Sequence, residues 1–222
     1  KGWLLAFRTD RKLESESRKA REDKELYGVN HDLIDGDELA RREPNLQIRM
    51  AGAIHWTDPW TVRNPGALVS AYADLFKTLG GEIRAGQLTA LDQSNQEWTA
   101  TVDGSPVSGR EAVIALGPWA PEILEPLGYR LPLFVKRGYH MHYRVEGAPV
   151  LNNWLLDPEV GYALAPMEAG IRLTTGAEFS LRDAPATPIQ LSRAEEAARE
   201  LFPLGERVDP EPWKGARPCT PD

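Results

Sequence analysis

Few residues in this sequence are of types that do chemistry unaided, and their spacing excludes more than it supports. The one cysteine, Cys219, rules out an internal disulfide framework. The four histidines, His31, His55, His140 and His142, offer no metal spacing beyond the pair His140-x-His142, so metal catalysis is not expected. No acid and base stand out as a pair for proton transfer. What does point to a ligand is the run AVIALGPW at 112–119. A buried apolar strand that ends on Gly117 lets backbone come close to a cofactor, because glycine adds no side chain at the turn. Taken alone, the same run also reads as a tight turn followed by Pro118 and Trp119 in ordinary core packing.

The elements around that run must position it. The sequence predicts a strand over 1–8, a charged helix over 11–27 closed by Gly28, and a short helix over 36–42 with Asp35 as its N-cap. A further strand is expected over 53–56. The clearest helix starts at Asn64-Pro65, with Leu68, Val69, Tyr72, Leu75, Phe76 and Leu79 at helical spacing before Gly80. Short strands at 82–84, 87–91 and 98–102, parted by turn residues, suggest a small meander. The apolar run 112–116 suits a strand buried on both faces, and 121–127 a helix stopped by Gly128. Beyond it, alternating segments at 130–145, 150–156, 160–166 and 171–176 read as antiparallel strands. An amphipathic helix near 189–202 and a polar tail complete the chain.

The expected fold class is therefore mixed α/β (α+β): part of a Rossmann-like domain at 61–128, inserted in a largely antiparallel-sheet domain built from 1–60 and 129–222. With 222 residues and 41% hydrophobic content, the chain is long enough for a sizeable core. A formal charge of −7 argues against nucleic-acid binding. The mixed charges of 10–24 read as a solvated helix face. The apolar run Trp3–Phe7 is far short of the roughly 20 residues a membrane span needs, so a cytoplasmic protein is expected, or one peripheral to the inner membrane face.

Beyond these readings, the chain resembles the FAD-dependent D-amino-acid oxidase superfamily, in its D-amino-acid dehydrogenase and glycine or sarcosine oxidase-like branch. Six pieces in order carry the likeness: the Asn64-Pro65 helix with Gly80-Gly81-Glu82-Ile83, the run from Val113 to Trp119, Lys136-Arg137-Gly138-Tyr139, GYALAP at 161–166, RLTTGAEF at 172–179, and WKGARPCTPD at 213–222. The resemblance implies FAD as cofactor and the segments 61–128 as part of its binding domain. The family's glycine-rich pyrophosphate loop would lie before Lys1 and its second flavin-contacting run after Asp222. The chain is thus expected to be a piece cut at both ends, inactive by itself and a poor binder of FAD.

The same resemblance assigns roles. Arg217 would hold the substrate carboxylate with its two parallel donors, and the Tyr162 hydroxyl would donate to the same group. Glu178 and Phe179 would line the pocket, with Tyr139 and His140 as weaker candidates. Leu88, Ala115, Leu116 and Gly117 would touch FAD through backbone groups, and Trp119 would help to close the site. The implied reaction is oxidative deamination of a D-amino acid or related small amino acid, by hydride transfer from its α-carbon to the flavin. An N-methyl amino-acid or amine oxidase is the alternative in the same class. A non-catalytic, adenine-nucleotide-binding subunit is the alternative in another. Partners would be a small amino-acid or amine substrate, with homo- or hetero-oligomerisation left open.

Overall fold

The computed structural model describes residues 1–222 other than Glu146, Ala148, Pro188 and Asp222. In chain order the elements are β1 (Trp3–Phe7), α1 (Asp10–Tyr27), β2 (His31–Asp35), α2 (Gly36–Arg42), β3 (Gly52–Trp56), α3 (Pro65–Thr78), β4 (Leu88–Ser94), β5 (Glu97–Val102), β6 (Ser105–Gly109), α4 (Ala120–Leu124), β7 (Phe134–Val145), β8 (Trp154–Asp157), β9 (Tyr162–Met167), β10 (Gly170–Thr175), β11 (Glu178–Phe179), α5 (Ile189–Leu201), β12 (Leu204–Arg207) and β13 (Trp213–Cys219). They are mixed α/β, with mixed and antiparallel sheets. The chain divides into two compact units. Unit 1 comprises Lys1–Pro65, Gly138–Ala177 and Pro185–Gly215, and unit 2 comprises Gly66–Arg137, Glu178–Ala184 and Ala216–Asp222. Compared with the boundaries expected from sequence, 61–65 group with unit 1, and 129–137, 178–184 and 216–222 with unit 2.

In unit 1 the strands run in the order β7, β10, β9, β8, β1, β3, β2, with β12 also on β7. Neighbours are antiparallel except β1 and β8, which are parallel. One row of register partners crosses five strands: Leu4, Leu155, Leu164, Leu173 and Met141. All five are buried, and they belong to one core with Leu191, Ala194, Ala198 and Leu201 of α5. Because strand side chains alternate, the adjacent row must face the other way. That row runs Leu5, Leu156, Ala163, Thr174, His140. At its β1 end it meets α1, through a second cluster of Phe7, Ala20 and Ile54 with Leu5, Leu13 and Trp56 against it.

Local chemistry explains the joints. Gly28 ends α1 in the left-handed region at φ 69, its N–H bonded to Lys24 O. Asp35 caps α2, accepting from Glu38 N at 2.8 Å. The buried Asp157 carboxylate accepts from Arg8 Nε at 2.7 Å and from the backbone of Glu159 and Val160, tying β1 to the β8–β9 turn. Buried Glu43 accepts from Asn152 N, Asn153 N and Asn153 Nδ2, each at 2.8 Å. Burial raises its carboxyl above the usual range, against the pull of those donors.

Unit 2 holds α3 and the meander β4–β5–β6. Both hairpin loops have two residues, Asn95-Gln96 and Asp103-Gly104, all at positive φ, the geometry that matches strand twist. The meander is shifted from the expected one: 82–84 is not a strand, and β6 lies at Ser105–Gly109. No residue of α3 is buried. The run 112–116 is not a strand either, and Val113 is 89% exposed. A strand buried on both faces needs a neighbour on each side, and among the described residues none pairs with it. The expected polar tail, in contrast, contains β13.

Candidate functional site

The six-residue stretch ending at Gly117 is best described from its backbone. Ala112 to Ala115 make no hydrogen bond among the described residues. Gly117, at φ 55, opens a single 3-10 turn through Trp119, whose N–H returns to Leu116 O at 3.1 Å. A side chain at Gly117 would be strained by that φ, and a Cβ there would lie 3.9 Å from Pro218 Cγ. The glycine turn and the Arg217-Pro218 step of β13 are thus neighbours inside unit 2. Arg217 is exposed and has no ion pair among the described residues. Its carbonyl receives the Cys219 thiol at 3.8 Å.

Other expected site residues are already engaged. The Glu178 carboxylate is taken by the guanidinium of Arg137, which is fully buried and also donates to Ala184 O at 2.5 Å. Phe179 is 74% exposed and stacks on Phe134 at 6.1 Å, with Lys136 Nζ 5.1 Å from its ring centre. Trp119 is half exposed, with the Arg182 guanidinium 5.3 Å from its ring; Arg182 in turn is bridged to Glu122 and Asp183. Leu88 begins β4 opposite Val102.

Tyr162 is where the structure departs from the expectation for a side chain. It sits two residues from Leu164 on the α5 face of β9, is 1% exposed, and its hydroxyl donates to Ala197 O of α5 at 3.4 Å. Burial raises its pKa well above the usual phenol value. A one-residue step along a strand reverses the face, so Ala163, not Tyr162, occupies the other side. Tyr139 is likewise in the core, its hydroxyl accepting from Thr187 N at 3.0 Å. The phenol is a core group bonded to a helix carbonyl.

The opposite face of unit 1 carries groups to which the sequence drew little attention. Arg172 pairs in register with His142 on β7 and Ala165 on β9; Thr174 pairs with His140 and Ala163. The rings of His140 and His142 are 5.3 Å apart, and Trp213 stacks on His140 at 4.6 Å. Burial, followed by the Arg172 charge, lowers His140 to about 4 and holds His142 below its usual value. The signal for Arg172 was a cation within an otherwise apolar strand, Ile171-Arg172-Leu173.

FAD fits the residues of the glycine turn: unused backbone N–H and C=O groups at Ala115, next to Leu116 and a Gly117 without a side chain, can receive a polar nucleotide at close range. No group of three His, Cys, Asp or Glu among the described residues is arranged to hold a metal, and no helix is long and apolar enough to cross a membrane.

Known folds give the context. Glycine oxidase from Geobacillus kaustophilus superposes with a TM-score of 0.84 at 21% identity over 100% of this chain and 60% of that one. L-proline dehydrogenase from P. horikoshii gives 0.82 at 19%, covering 100% and 61%. Iminodiacetate oxidase from Chelativorans sp. gives 0.79 at 21%, again covering 100% and 61%. The chain therefore spans about 60% of the length of the solved structures it matches, and at these identities the likeness is one of fold. Membership is carried by the family model for FAD dependent oxidoreductases (DAO), which matches residues 1–222, and this chain belongs to that FAD-dependent family.

Proposed function

We propose that this chain contributes to the oxidation of the CH–NH group of a small amino acid, a D-amino acid or a close relative, with Arg217 as the group that holds the substrate carboxylate. One observation carries the reading: Arg217 is an exposed guanidinium without an ion pair among the described residues, one residue from a proline that abuts the Gly117 turn. The fold relatives are named for glycine, L-proline and iminodiacetate, all amines that carry a carboxylate. N-methyl amino acids and related amines are the alternative substrates within this class.

When bound, FAD supplies the two-electron acceptor. The backbone of Ala115, Leu116 and Gly117 would hold part of the nucleotide, with Leu88 on the adjoining β4 and Trp119 limiting access of water. Arg217 would fix the carboxylate through two parallel N–H donors, a geometry that a lysine ammonium lacks. Fixing the carboxylate orients the α-carbon, so that the bond to be broken is presented in one direction. Glu178 would act at one remove, by keeping Arg137 in place. Loss of the α-hydrogen leaves an imino acid, which water hydrolyses. A neutral amine needs no dedicated base, in keeping with the absence of an acid–base pair in the sequence.

The complete, flavin-loaded protein of which this chain is part tests this directly. Arg217→Lys is expected to raise KM for D-alanine, glycine or sarcosine about 10- to 100-fold, the loss of one or two charge-assisted hydrogen bonds, with flavin content unchanged. An unaltered KM, or failure of all three amines to bleach the flavin of the parent protein, would overturn the reading.

A further inference from the structure

The face of the unit 1 sheet opposite α5 is covered by α1 at β1 and β3. Farther along the same face, at β9, β10 and β7, the outward positions are Ala163 and Ala165, then Thr174 and Arg172, then His140 and His142. This patch combines two alanines, a threonine, two imidazoles and one guanidinium, with the Trp213 ring stacked on His140 at 4.6 Å.

Arg172 is the unusual member. It is only partly accessible, its Nε is buried without a hydrogen-bond partner, and it takes part in no ion pair among the described residues. Burial lowers its pKa. Taking a guanidinium partly out of water without a compensating anion is unfavourable, and charged groups perturbed in this way cluster at functional sites. The contrast with Arg137 on the neighbouring strand is direct: that guanidinium, more deeply buried, has its carboxylate in Glu178.

The surrounding charges narrow the ligand. His140 and His142 both stay neutral near pH 7, because burial and Arg172 lower them while Asp209 opposes this only in part. The patch thus has one full positive charge, flanked by neutral imidazoles that can give or take a hydrogen bond. One charge in a planar fork suits a carboxylate better than a multiply charged phosphate. Ala163 and Ala165, neighbours of Arg172 in the sheet, carry only a methyl group each and are themselves buried.

We propose that Arg172, His140 and His142, with Trp213 as a wall, form a carboxylate-binding site on the β7–β10–β9 face, taking a small organic acid. The inference concerns unit 1 by itself and does not depend on Arg217 or on flavin.

The test is a titration of the protein with sodium acetate at constant ionic strength, maintained with sodium chloride, following the histidine ring signals by NMR and Trp213 by fluorescence. His140 and His142 are expected to shift saturably, and Arg172→Met to weaken acetate binding by at least about tenfold, the loss of one charge-assisted hydrogen bond. Arg172→Lys keeps the charge without the fork and is expected to fall between. Thermal unfolding supplies the control: in the absence of acetate, Arg172→Met is expected to unfold at or above the parent's midpoint, since it removes an uncompensated cation. Histidine shifts that do not saturate, saturable shifts unchanged in Arg172→Met, or a clearly lowered midpoint in that variant would each overturn the proposal. None of these readouts involves turnover, so they are separate from the test of Arg217.

Discussion

Helices α5 and α3 have the same kind of apolar stripe and opposite surroundings. In unit 1, Leu191, Ala194, Ala198 and Leu201 of α5 are buried on the sheet, and Phe202 just beyond is 0% exposed. In unit 2, Leu68, Val69, Tyr72, Leu75 and Phe76 of α3, and Leu79 just beyond it, are all exposed, Leu75 by 51%. Helical periodicity states only that one face is apolar; whether anything covers it is decided by residues far away in sequence. The same contrast holds for strands. Ile171 and Leu173 are buried within a sheet, whereas Val113, in an equally apolar run, has no strand beside it among the described residues.

The sharpest way to break this comparison is a pair of truncations. Phe202→Ala is expected to lower the unfolding free energy of unit 1 by about 3–5 kcal/mol, because it leaves a cavity in a closed core. Leu75→Ala, on the uncovered face of α3, is expected to change stability by no more than about 0.5 kcal/mol. Urea denaturation of both variants checks this; equal losses would show that α3 is packed as tightly as α5.

A smaller effect is expected at Glu43, the buried carboxylate that gathers Asn152 and Asn153. Glu43→Gln replaces one accepting oxygen by a donor facing an N–H, at about 1–3 kcal/mol. The folded pKa of Glu43 is raised above 4.5, so the contribution of the carboxyl is fully present below 4.5 and is lost as pH rises through the folded value. The gap between parent and variant should narrow over that window, measured as unfolding midpoints against pH. A gap that widened would show that the backbone donors outweigh burial.

The smallest effect belongs to the sheet face that α5 does not cover. His140 should titrate near 4 in the folded chain, against 6.5 when unfolded. With the folded value depressed, its contribution is present above 6.5 and is lost as pH falls toward 4. The His140 ring signals followed by NMR should give that midpoint, and Arg172→Met should raise it. A midpoint near 6.5 in the parent protein would remove the case for a desolvated face.

Much of the architecture was legible without coordinates. Asp35 as the cap of α2, Asn64-Pro65 at the start of α3, Gly28 and Gly128 as stops, and the antiparallel strands after 130 all follow from local chemistry: capping, fixed φ, freedom at positive φ, and alternation. The motif order also carried the family. Harder to read were short segments with weak signals. The strands β2, β6, β11, β12 and β13 were missed because a polar edge segment looks like a loop until a partner strand supplies its hydrogen bonds.

The sequence by itself determined the helices, the strand-rich second half and the turn at Gly117, since each depends on residues within a few positions of one another; that this turn lies beside Pro218, about 100 residues on, is tertiary. Only the tertiary structure decided which face each side chain occupies. Tyr162 entered the core because it lies on the Leu164 side of β9, in register with Thr175 and Asp157, Glu178 was taken by Arg137 from a strand 41 residues away, and Arg172 has no ion pair among the described residues. Register is a non-local property: a shift of one residue turns a ligand-facing group into a core group, and nothing within the strand itself specifies which.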